Sequence, residues 1–239
     1  MGINEFKDIF RKYLKDTGIE INDKKIEMFY TYMNELLEWN KKINLTAITD
    51  TEEIILKHFI DSLIIEKYID KNNIIDVGTG AGFPGIPIKI YNENLNVVLL
   101  DSLNKRIAFL DNIIRNLKLK NIKAVHSRAE DLGKNEDYRE KFDIVTSRAV
   151  AELSVLSEYM LPFVKIGGIC ICMKGQNLDE IDFAKETIEL LGGKIEKIDK
   201  YKLPLTDMER TIIVIKKERE TPKKYPRKPN QIKPKKLKK

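Results

Sequence analysis

The pattern that most constrains the fold is a change of rhythm near residue 73, where short apolar runs begin to alternate with amphipathic stretches. Such an alternation is typical of a parallel β-sheet covered by helices. The amphipathic stretches include residues 105–119 and 153–164, which are predicted to be helices. The apolar runs predict strands at IIDVG (74–78), VVLLD (97–101), KAVHS (123–127), FDIVTS (142–147) and ICICMK (169–174).

The end of this region predicts a different kind of strand pairing. KIEKIDKYKLPL and RTIIVIKK are two strand-like runs joined by a turn-rich linker that is too short for a helix of normal length. A parallel connection needs a crossover of about a dozen residues or more, so this pair must be antiparallel. The predicted fold is therefore α/β and Rossmann-like, a mostly parallel sheet with an antiparallel last strand. This layout is the one expected of S-adenosylmethionine-dependent methyltransferases.

Three segments of different character divide the chain. Residues 1–70 are predicted to form an N-terminal helical cap, because apolar residues between Ile26 and Leu37 recur at spacings of three and four. Residues 71–217 contain the α/β pattern and form the predicted methyltransferase domain. Residues 218–239 are rich in Lys and Pro and poor in apolar anchors, so we expect a basic, disordered tail.

Charge is distributed unevenly along the chain. The net charge is +6, but residues 216–239 alone contain twelve Lys or Arg against two Glu, a local charge of +10 that leaves −4 for residues 1–215. A flexible polycation of this kind attracts the phosphates of a nucleic acid. Two interpretations of the tail stay open: electrostatic capture of RNA with no effect on the cofactor site, and a contribution to solubility alone.

Other observations exclude several classes of protein. No apolar run is long enough to span a membrane, and the charged N-terminus lacks the core of a secretory signal, so we expect a cytoplasmic protein without a membrane partner. The two cysteines, Cys170 and Cys172, stand two apart on a predicted strand, where core packing is the expected role. The two histidines, His58 and His126, stand far apart, so we expect neither a metal site nor a Ser-His-Asp arrangement.

A glycine-rich loop, DVGTGAGFPG (76–85), follows the first predicted strand and opens a helix. Its glycines, Gly78 and Gly80 among them, let the backbone turn sharply and come close to a ligand. Asp101 ends the second strand about twenty residues on, where a carboxylate binds ribose hydroxyls. The pattern also fits NAD(P)-dependent oxidoreductases. Asp76 favours S-adenosylmethionine, because a carboxylate beside the loop suits the positive charges of this cofactor better than a pyrophosphate.

Polar residues also follow the later strands, at the sheet edge where ligands of open α/β sheets bind. Within SRAED (127–131), Glu130 is expected to accept from an adenine amino group, whereas Asp131 is expected either to bind there or to begin a helix. Arg148 could clamp a carboxylate or a phosphate, or form an ordinary surface salt bridge. Lys174 lies at the same edge, where it could meet RNA or be simply solvated.

Taken together, these motifs resemble those of one bacterial family, the 16S ribosomal RNA guanine-N7 methyltransferases (RsmG, also called glucose-inhibited division protein B). The resemblance runs from about Trp39 to Arg227. It is carried by WNKKINLTAI, LKHFIDSL, DVGTGAGFPGIP, LLDSLNKR, SRAED, TSRAVAEL, MKGQ and TPKKYPRK. The resemblance implies S-adenosylmethionine as the methyl donor and, as the target, N7 of a guanine in the 530-region loop of 16S rRNA.

The resemblance also implies roles for individual residues. The cofactor contacts that it implies are Gly78, Phe83, Ala129, Glu130 and Arg148. The glycine-loop pattern adds Gly80 and Asp101 to the predicted cofactor contacts. Phe83 departs from the family pattern, in which leucine is common at this position, and the tail after Arg227 is richer in lysine than expected. RNA contacts are predicted at five basic residues: Lys174, Lys223, Lys224, Arg227 and Lys228.

The chemistry implied by the resemblance needs no general base. Guanine N7 carries a lone pair and no proton in the neutral base, so catalysis is a matter of aligning it with the methyl group. The expected partner is 16S rRNA or the assembling small ribosomal subunit, and we expect a monomer without a metal. The competing interpretations are an NAD(P)-dependent oxidoreductase, a small-molecule methyltransferase and a non-enzymatic rRNA-binding factor.

Overall fold

A seven-stranded sheet forms the centre of the protein in the computed structural model, which describes residues 1–148, 151–176 and 179–232. The strands are β1 (Asn73–Val77), β2 (Asn96–Asp101), β3 (Ile122–His126), β4 (Phe142–Arg148), β5 (Val164–Lys174), β6 (Gly193–Lys202) and β7 (Glu209–Lys217). Their order in the sheet is β3-β2-β1-β4-β5-β7-β6. β7 runs antiparallel to both of its neighbours, and the pairs among β1 to β5 are parallel. The predicted fold class is therefore confirmed.

Helices cover both faces of this sheet. They are α1 (Ile3–Leu14), α2 (Asp23–Asn40), α3 (Thr51–Ile54), α4 (Asp61–Leu63), α5 (Gly85–Tyr91), α6 (Asn104–Asn116), α7 (Ala129–Leu132), α8 (Leu153–Met160) and α9 (Glu180–Leu190). A π-helical turn, Ile55–Ile60, joins α3 to α4, and a 3-10 turn, Ile64–Tyr68, follows α4. The predicted helix 153–164 ends early, because Pro162 has no N–H to continue it. Within the described ranges, no helix is long and apolar enough to cross a membrane.

Alternate residues of the strands enter two separate cores, one on each face of the sheet. Ile74 and Ile75 are adjacent in β1 and fully buried, but Ile74 belongs to the core of the N-terminal helices and Ile75 to the core under α8 and α9. This alternation follows from the two-residue period of a strand. Cys170 and Cys172 stand two apart in β5, and both are fully buried in the second core. Their predicted role in core packing is confirmed.

The N-terminal helices rest on the glycine-rich loop through aromatic side chains. Tyr32 of α2 is fully buried, its ring centre lies 5.4 Å from that of Phe83, and its hydroxyl donates to the carbonyl of Ala81. The ring of Phe59 lies 5.3 Å from that of Tyr32. Such pairs contribute about 0.5–1.5 kcal/mol each beyond the area that they bury. The helical cap therefore supports the loop directly, while the domain boundary after residue 70 stays a prediction.

The C-terminal tail packs against the α/β domain as far as it is described. Thr221 is buried, and Tyr225 is only 6% exposed. Arg139 donates to the carbonyls of these two residues at 2.7 and 2.9 Å, and Arg227 forms an ion pair with Glu158 at 2.7 Å. The predicted disorder is therefore wrong for this part of the tail, because composition counts the charges but not the buried partners that hold them. The last seven residues of the predicted tail lie outside the described residues.

Candidate active site

A cleft of about 760 Å³ opens at the carboxyl ends of β1, β2, β4 and β5. Ligands of open α/β sheets bind at this edge, and the volume lies within the range of about 300–1,000 Å³ that small-molecule sites occupy. The residues predicted to contact the cofactor all line this cleft: Gly78, Gly80, Phe83, Asp101, Ala129, Glu130 and Arg148. Positions spread over 71 residues of sequence are thus brought together at one place.

The glycine-rich loop turns tightly along one side of the cleft. Gly78 and Gly80 have φ angles of 70° and 62°, in the left-handed region that favours glycine. The N–H groups of Gly78 and Thr79 donate to the carbonyl of Leu100 at 2.9 and 3.1 Å, which ties the loop to β2. A Cβ added to Gly80 would meet no described atom within 4 Å, so this position faces open space. A ligand can therefore approach the loop backbone closely.

Asp76 lies under the loop and not in the cleft. Its side chain is fully buried, and Oδ2 accepts from the Thr79 hydroxyl at 2.6 Å and from the Gly85 N–H at 2.8 Å. Burial raises the pKa of this carboxyl to about 6, although the two hydrogen bonds favour the ionised form. The expectation that Asp76 meets the positive charges of a donor is therefore wrong. Its carboxylate instead holds the loop in shape.

Asp101 joins the loop to the end of β2. Its buried Oδ2 accepts from the Gly80 N–H at 2.9 Å and from Nη1 of Arg106 at 3.2 Å, and Oδ1 accepts from the Leu103 N–H at 2.9 Å. A carboxylate has about four acceptor positions, so this side chain retains acceptor capacity toward the cleft that it lines. The arrangement fits the predicted contact with ribose hydroxyls, which stays a prediction.

Glu130 is an acceptor in the cleft with unused hydrogen-bonding capacity. It lies in the first turn of α7, and its side chain is only 9% exposed. Within the described part of the chain it has no hydrogen-bond partner, and its ionic partner, Nη1 of Arg128, lies 3.7 Å away. Its oxygens are accessible from the cleft and take no hydrogen bond from the described residues, so a ligand in the cleft can donate to them. The neighbouring Asp131 is exposed, which favours Glu130 over Asp131 as the binding residue.

Arg148 joins the cleft to the helical cap. Its Nη1 donates to the carbonyl of Lys57 at 3.0 Å and to Oδ2 of Asp61 at 3.3 Å. The guanidinium also lies 4.9 Å from the centre of the Phe83 ring, a cation–π distance. These contacts to the cap hold the side chain in place inside the protein, so it is not an ordinary surface salt bridge, and they use only part of its five N–H donors. A ligand that contacts it meets an arginine fixed in place.

His58 is one of the polar residues of the cap that line the cleft. Its ring stacks on Phe83 at 4.6 Å, Nδ1 lies 3.2 Å from Nη2 of Arg148, and Nε2 lies 2.8 Å from the Thr46 hydroxyl. A guanidinium can only donate, so we assign Nδ1 as the acceptor and place the proton of the neutral ring on Nε2. Burial, and next the charge of Arg148, lower the pKa of His58 to about 3.

Sequence reasoning did not assign a role to four residues that line the cleft: His58, Asp61, Tyr159 and Arg210. The signal for the first two was present in LKHFIDSL, because residues three apart in a helix share one face. Arg210 gave no such signal. It reaches the site because β7 inserts beside β5, and its Nε then lies 3.6 Å from Oδ2 of Asp61.

The structure separates the predicted RNA contacts into two groups. Lys174 lines the cleft but is only 11% exposed, and its ammonium donates to the carbonyl of Ala151 at 2.6 Å and pairs with Glu180 at 2.9 Å. Arg227 is likewise paired within the protein. These two side chains therefore hold protein segments in place before any contact with RNA. The side chains that remain exposed for phosphates are Lys223, Lys224 and Lys228.

More basic than acidic residues line the cleft, although residues 1–215 together carry a net charge of −4. Six basic residues line it against the three acidic residues Asp61, Asp101 and Glu130; the basic ones are Lys57, Arg106, Arg128, Arg148, Lys174 and Arg210. A cleft lined mostly by one sign of charge attracts the opposite sign, here phosphates. In the described ranges, no group of three or more His, Cys, Asp or Glu is placed to hold a metal ion.

The sheet order, the antiparallel β7 and the glycine loop at the cleft define the class of protein. This is the fold of S-adenosylmethionine-dependent methyltransferases, and comparison with solved structures agrees. A SAM-dependent methyltransferase from Aquifex aeolicus superposes with a TM-score of 0.51, over 75% of this chain and 97% of that one, at 17% sequence identity. At this identity the likeness concerns the fold alone.

Sequence comparison gives the family. The family model for rRNA small subunit methyltransferase G (GidB) matches residues 25–213. A ribosomal RNA small subunit methyltransferase G from Acetivibrio thermocellus is 57% identical over 88% of both chains, and one from Clostridium tetani is 52% identical over 98% of this chain and 100% of its own. The chain belongs to the rRNA small subunit methyltransferase G family, as its motifs predicted.

Proposed function

We propose that this protein transfers a methyl group from S-adenosylmethionine to N7 of a guanine in the 530-region loop of 16S rRNA. The observation that carries the proposal is the convergence on one cleft of all seven residues expected to bind the donor. Membership of the family supports the rRNA substrate. The excess of basic residues around the same cleft supports a polyanionic substrate.

The residues of the cleft fit the donor chemically. When bound, S-adenosylmethionine supplies a methyl group carried on a positively charged sulfur. Glu130 has unused acceptor capacity for the amino group of an adenine, and Asp101 offers the same to ribose hydroxyls. The open space at Gly80 lets the rest of the donor lie against the loop backbone. The ring of Phe83, against which both His58 and Arg148 pack, adds a fixed apolar surface.

The remaining task of the site is to align the base with the donor. N7 of guanine attacks with its lone pair and loses no proton, so the chain has to position groups and not to accept a proton. The low pKa of His58 suits this role, because the ring stays neutral and adds no positive charge beside the donor. A guanine in a loop can leave its stack and enter a cleft, which a paired base cannot do without unpairing.

Methylation of purified RNA tests the proposal. The protein is incubated with labelled donor and either naked 16S rRNA or small-subunit particles at stages of assembly, and modified nucleosides are identified by mass spectrometry. We expect N7-methylguanosine at one position in the 530-region loop, and the better substrate identifies the natural partner. Methylation of another base or another RNA would overturn the target. Thermal stabilisation by NAD or NADP but not by the donor would favour the oxidoreductase interpretation instead.

A further inference from the structure

The C-terminal tail reaches the cleft itself. Pro229 is one of the residues that line it, as are Glu130 and Tyr159. We propose that residues 221–231, the C-terminal strap, form a wall of the cleft beside Glu130 and strengthen binding of the methyl donor. The inference rests on the proposed function, because it concerns the ligand of the same cleft. It replaces the interpretation in which the tail acts on RNA with no effect on the cofactor site.

One ion pair fixes the strap to α8. The backbone N–H of Arg227 donates to Oε1 of Glu158 at 2.6 Å, and its Nη2 donates to Oε2 at 2.7 Å. Glu158 is fully buried, so this carboxylate depends on Arg227 for its charge partner. Tyr159 follows Glu158 directly, and Pro229 stands two residues after Arg227. The same pair therefore sets the positions of two residues that line the cleft.

A second set of contacts fixes the strap to α7, the helix that carries Glu130. Arg139 donates to the carbonyl of Gly133 at 2.8 Å, to that of Tyr225 at 2.9 Å and to that of Thr221 at 2.7 Å. Gly133 directly follows α7. Arg139 therefore holds the end of α7 and the strap with one guanidinium.

The strap packs closely against the end of α7 at this junction. A Cβ added to Gly133 would lie 3.1 Å from Cγ of Pro226, so the strap lies directly against the end of α7. Tyr159 lines the cleft together with Glu130. Burial and, next, the charge of Glu130 raise the pKa of its phenol. The strap thus packs against the end of α7, and Glu130, Tyr159 and Pro229 line the same cleft.

With this placement the strap can strengthen donor binding in a way that does not depend on the charge of its lysines. Glu130 takes no hydrogen bond from the described residues, and Pro229 and Tyr159 line the same cleft, so a ligand that binds Glu130 there is covered in part by these two side chains. Hydrogen bonds to a charged group are stronger where water is excluded. Arg227, which composition assigns to RNA, acts inward as a positioning residue for this wall.

Two truncations of the full chain separate the two roles of the tail. Removal of residues 233–239 deletes five lysines and leaves Pro229 in place. Removal of residues 229–239 also deletes Pro229, the strap residue that lines the cleft, but keeps the pair of Arg227 and Glu158. Calorimetric titration measures the dissociation constants of S-adenosylmethionine and of its demethylated product for each protein. We expect the shorter truncation to leave donor affinity unchanged, and the longer one to weaken it about tenfold, the effect of removing one apolar side chain from the wall.

Point variants test the anchor. Arg227→Met should also weaken donor binding, with Arg227→Lys restoring part of it, and Lys223→Met is the matched control on the exposed surface of the strap. KM for the donor should rise more than kcat falls. Donor affinity that is equal in the wild type, both truncations and Arg227→Met would overturn the inference and leave the proposed function standing. A wild-type protein that does not bind the donor at all would overturn the proposed function instead.

Discussion

Arg148 at the end of β4 donates from Nη1 to Oδ2 of Asp61 across 3.3 Å, and this contact joins the sheet to the helical cap at the cleft. Asp61 is buried and also accepts from the Tyr201 hydroxyl at 2.9 Å. The two sides of this contact lie 87 residues apart in the sequence. The shape of the cleft therefore depends on a few buried polar contacts between distant segments.

Replacement of Arg148 tests this dependence. Arg148→Met keeps the length of the side chain and removes its charge, which leaves Asp61 with Arg210 at 3.6 Å as its remaining cation. Because a buried charge that loses its main partner is costly, we expect the free energy of unfolding to fall by about 2–4 kcal/mol. Urea denaturation at neutral pH measures this loss.

The control for that experiment is an ion pair at the surface. Lys165 pairs with Asp143 at 3.2 Å, but its side chain is 44% exposed. Solvent screens such a pair, so Lys165→Met should change the free energy of unfolding by less than about 1 kcal/mol. Equal losses in the two variants would mean that the contact of Arg148 with the cap carries no special weight.

Stability should depend on pH through His58. Its folded pKa, about 3, lies below the ordinary value near 6.5, so the unfolded chain binds a proton that the folded chain does not. The stabilisation is therefore complete above pH 6.5 and is lost as the pH falls toward 3, by about 1.4 kcal/mol for each pH unit. We expect His58→Asn to lose less stability than the wild type between pH 7 and about 5.

Asp76 opposes His58 over part of this range. Its folded pKa is raised to about 6, so its contribution to stability is present at low pH and is lost as the pH rises through 6. The difference in stability between the wild type and His58→Asn does not contain this contribution of Asp76, because both proteins have Asp76.

Nuclear magnetic resonance can measure the pKa of His58 directly, because the chain has only two histidines whose signals must be assigned. A His58 ring that gains its proton between pH 7 and 5 would contradict the prediction.

The sequence was sufficient to predict the sheet and the meeting of the expected donor-binding residues at one edge of it. Gly78, Gly80 and Asp101 follow strands whose apolar runs are unmistakable, and the carboxyl ends of parallel strands must meet at one edge. Asp76 was misjudged because its place in the motif does not reveal burial. Asp76, near the end of β1, is buried beneath the loop and accepts from the N–H of Gly85. This burial depends on the packing of the fold and cannot be read from the motif.

Contacts between distant segments could not be predicted from the sequence in the same way. Arg227 and Lys174 were counted as free charges, but each pairs with a carboxylate, Glu158 and Glu180 respectively. The tail has the composition of a disordered segment, because few of its side chains are apolar. It is ordered through hydrogen bonds from Arg139 to its backbone carbonyls, which depend on the tertiary position of that one residue.

Glu130 provides the sharpest test of donor binding. Glu130→Ala removes the acceptor that lacks a partner within the described residues, so the folded protein should lose donor affinity but not stability. A hydrogen bond to a charged group contributes about 1.5–3 kcal/mol, which corresponds to a rise in the dissociation constant of roughly ten- to a hundredfold. Calorimetry measures it. The control is Asp131→Ala, an exposed carboxylate one residue on, and matching affinities for the two variants would remove Glu130 from the site.

RNA capture should depend on the exposed lysines of the strap. In the triple variant Lys223→Ala, Lys224→Ala, Lys228→Ala, the anchor of the strap is intact, so donor affinity should not change. Affinity for RNA should fall, and the slope of its logarithm against the logarithm of salt concentration should decrease by roughly 0.7–0.9 for each phosphate that the variant no longer neutralises. The target base should stay the same, because phosphate contacts position a protein without reading bases.

The matched control replaces three exposed lysines by alanine at the opposite end of the strands from the cleft. Lys71 precedes β1, and Lys118 and Lys120 precede β3, so these exposed lysines lie at the amino ends of the strands, away from the cleft. Long-range attraction depends on net charge, which the two triple variants share, whereas released counterions depend on direct contact. A salt series on both variants separates these effects. Equal slopes in the two would assign RNA capture to total charge and to the basic lining of the cleft, and the strap would then serve the donor alone.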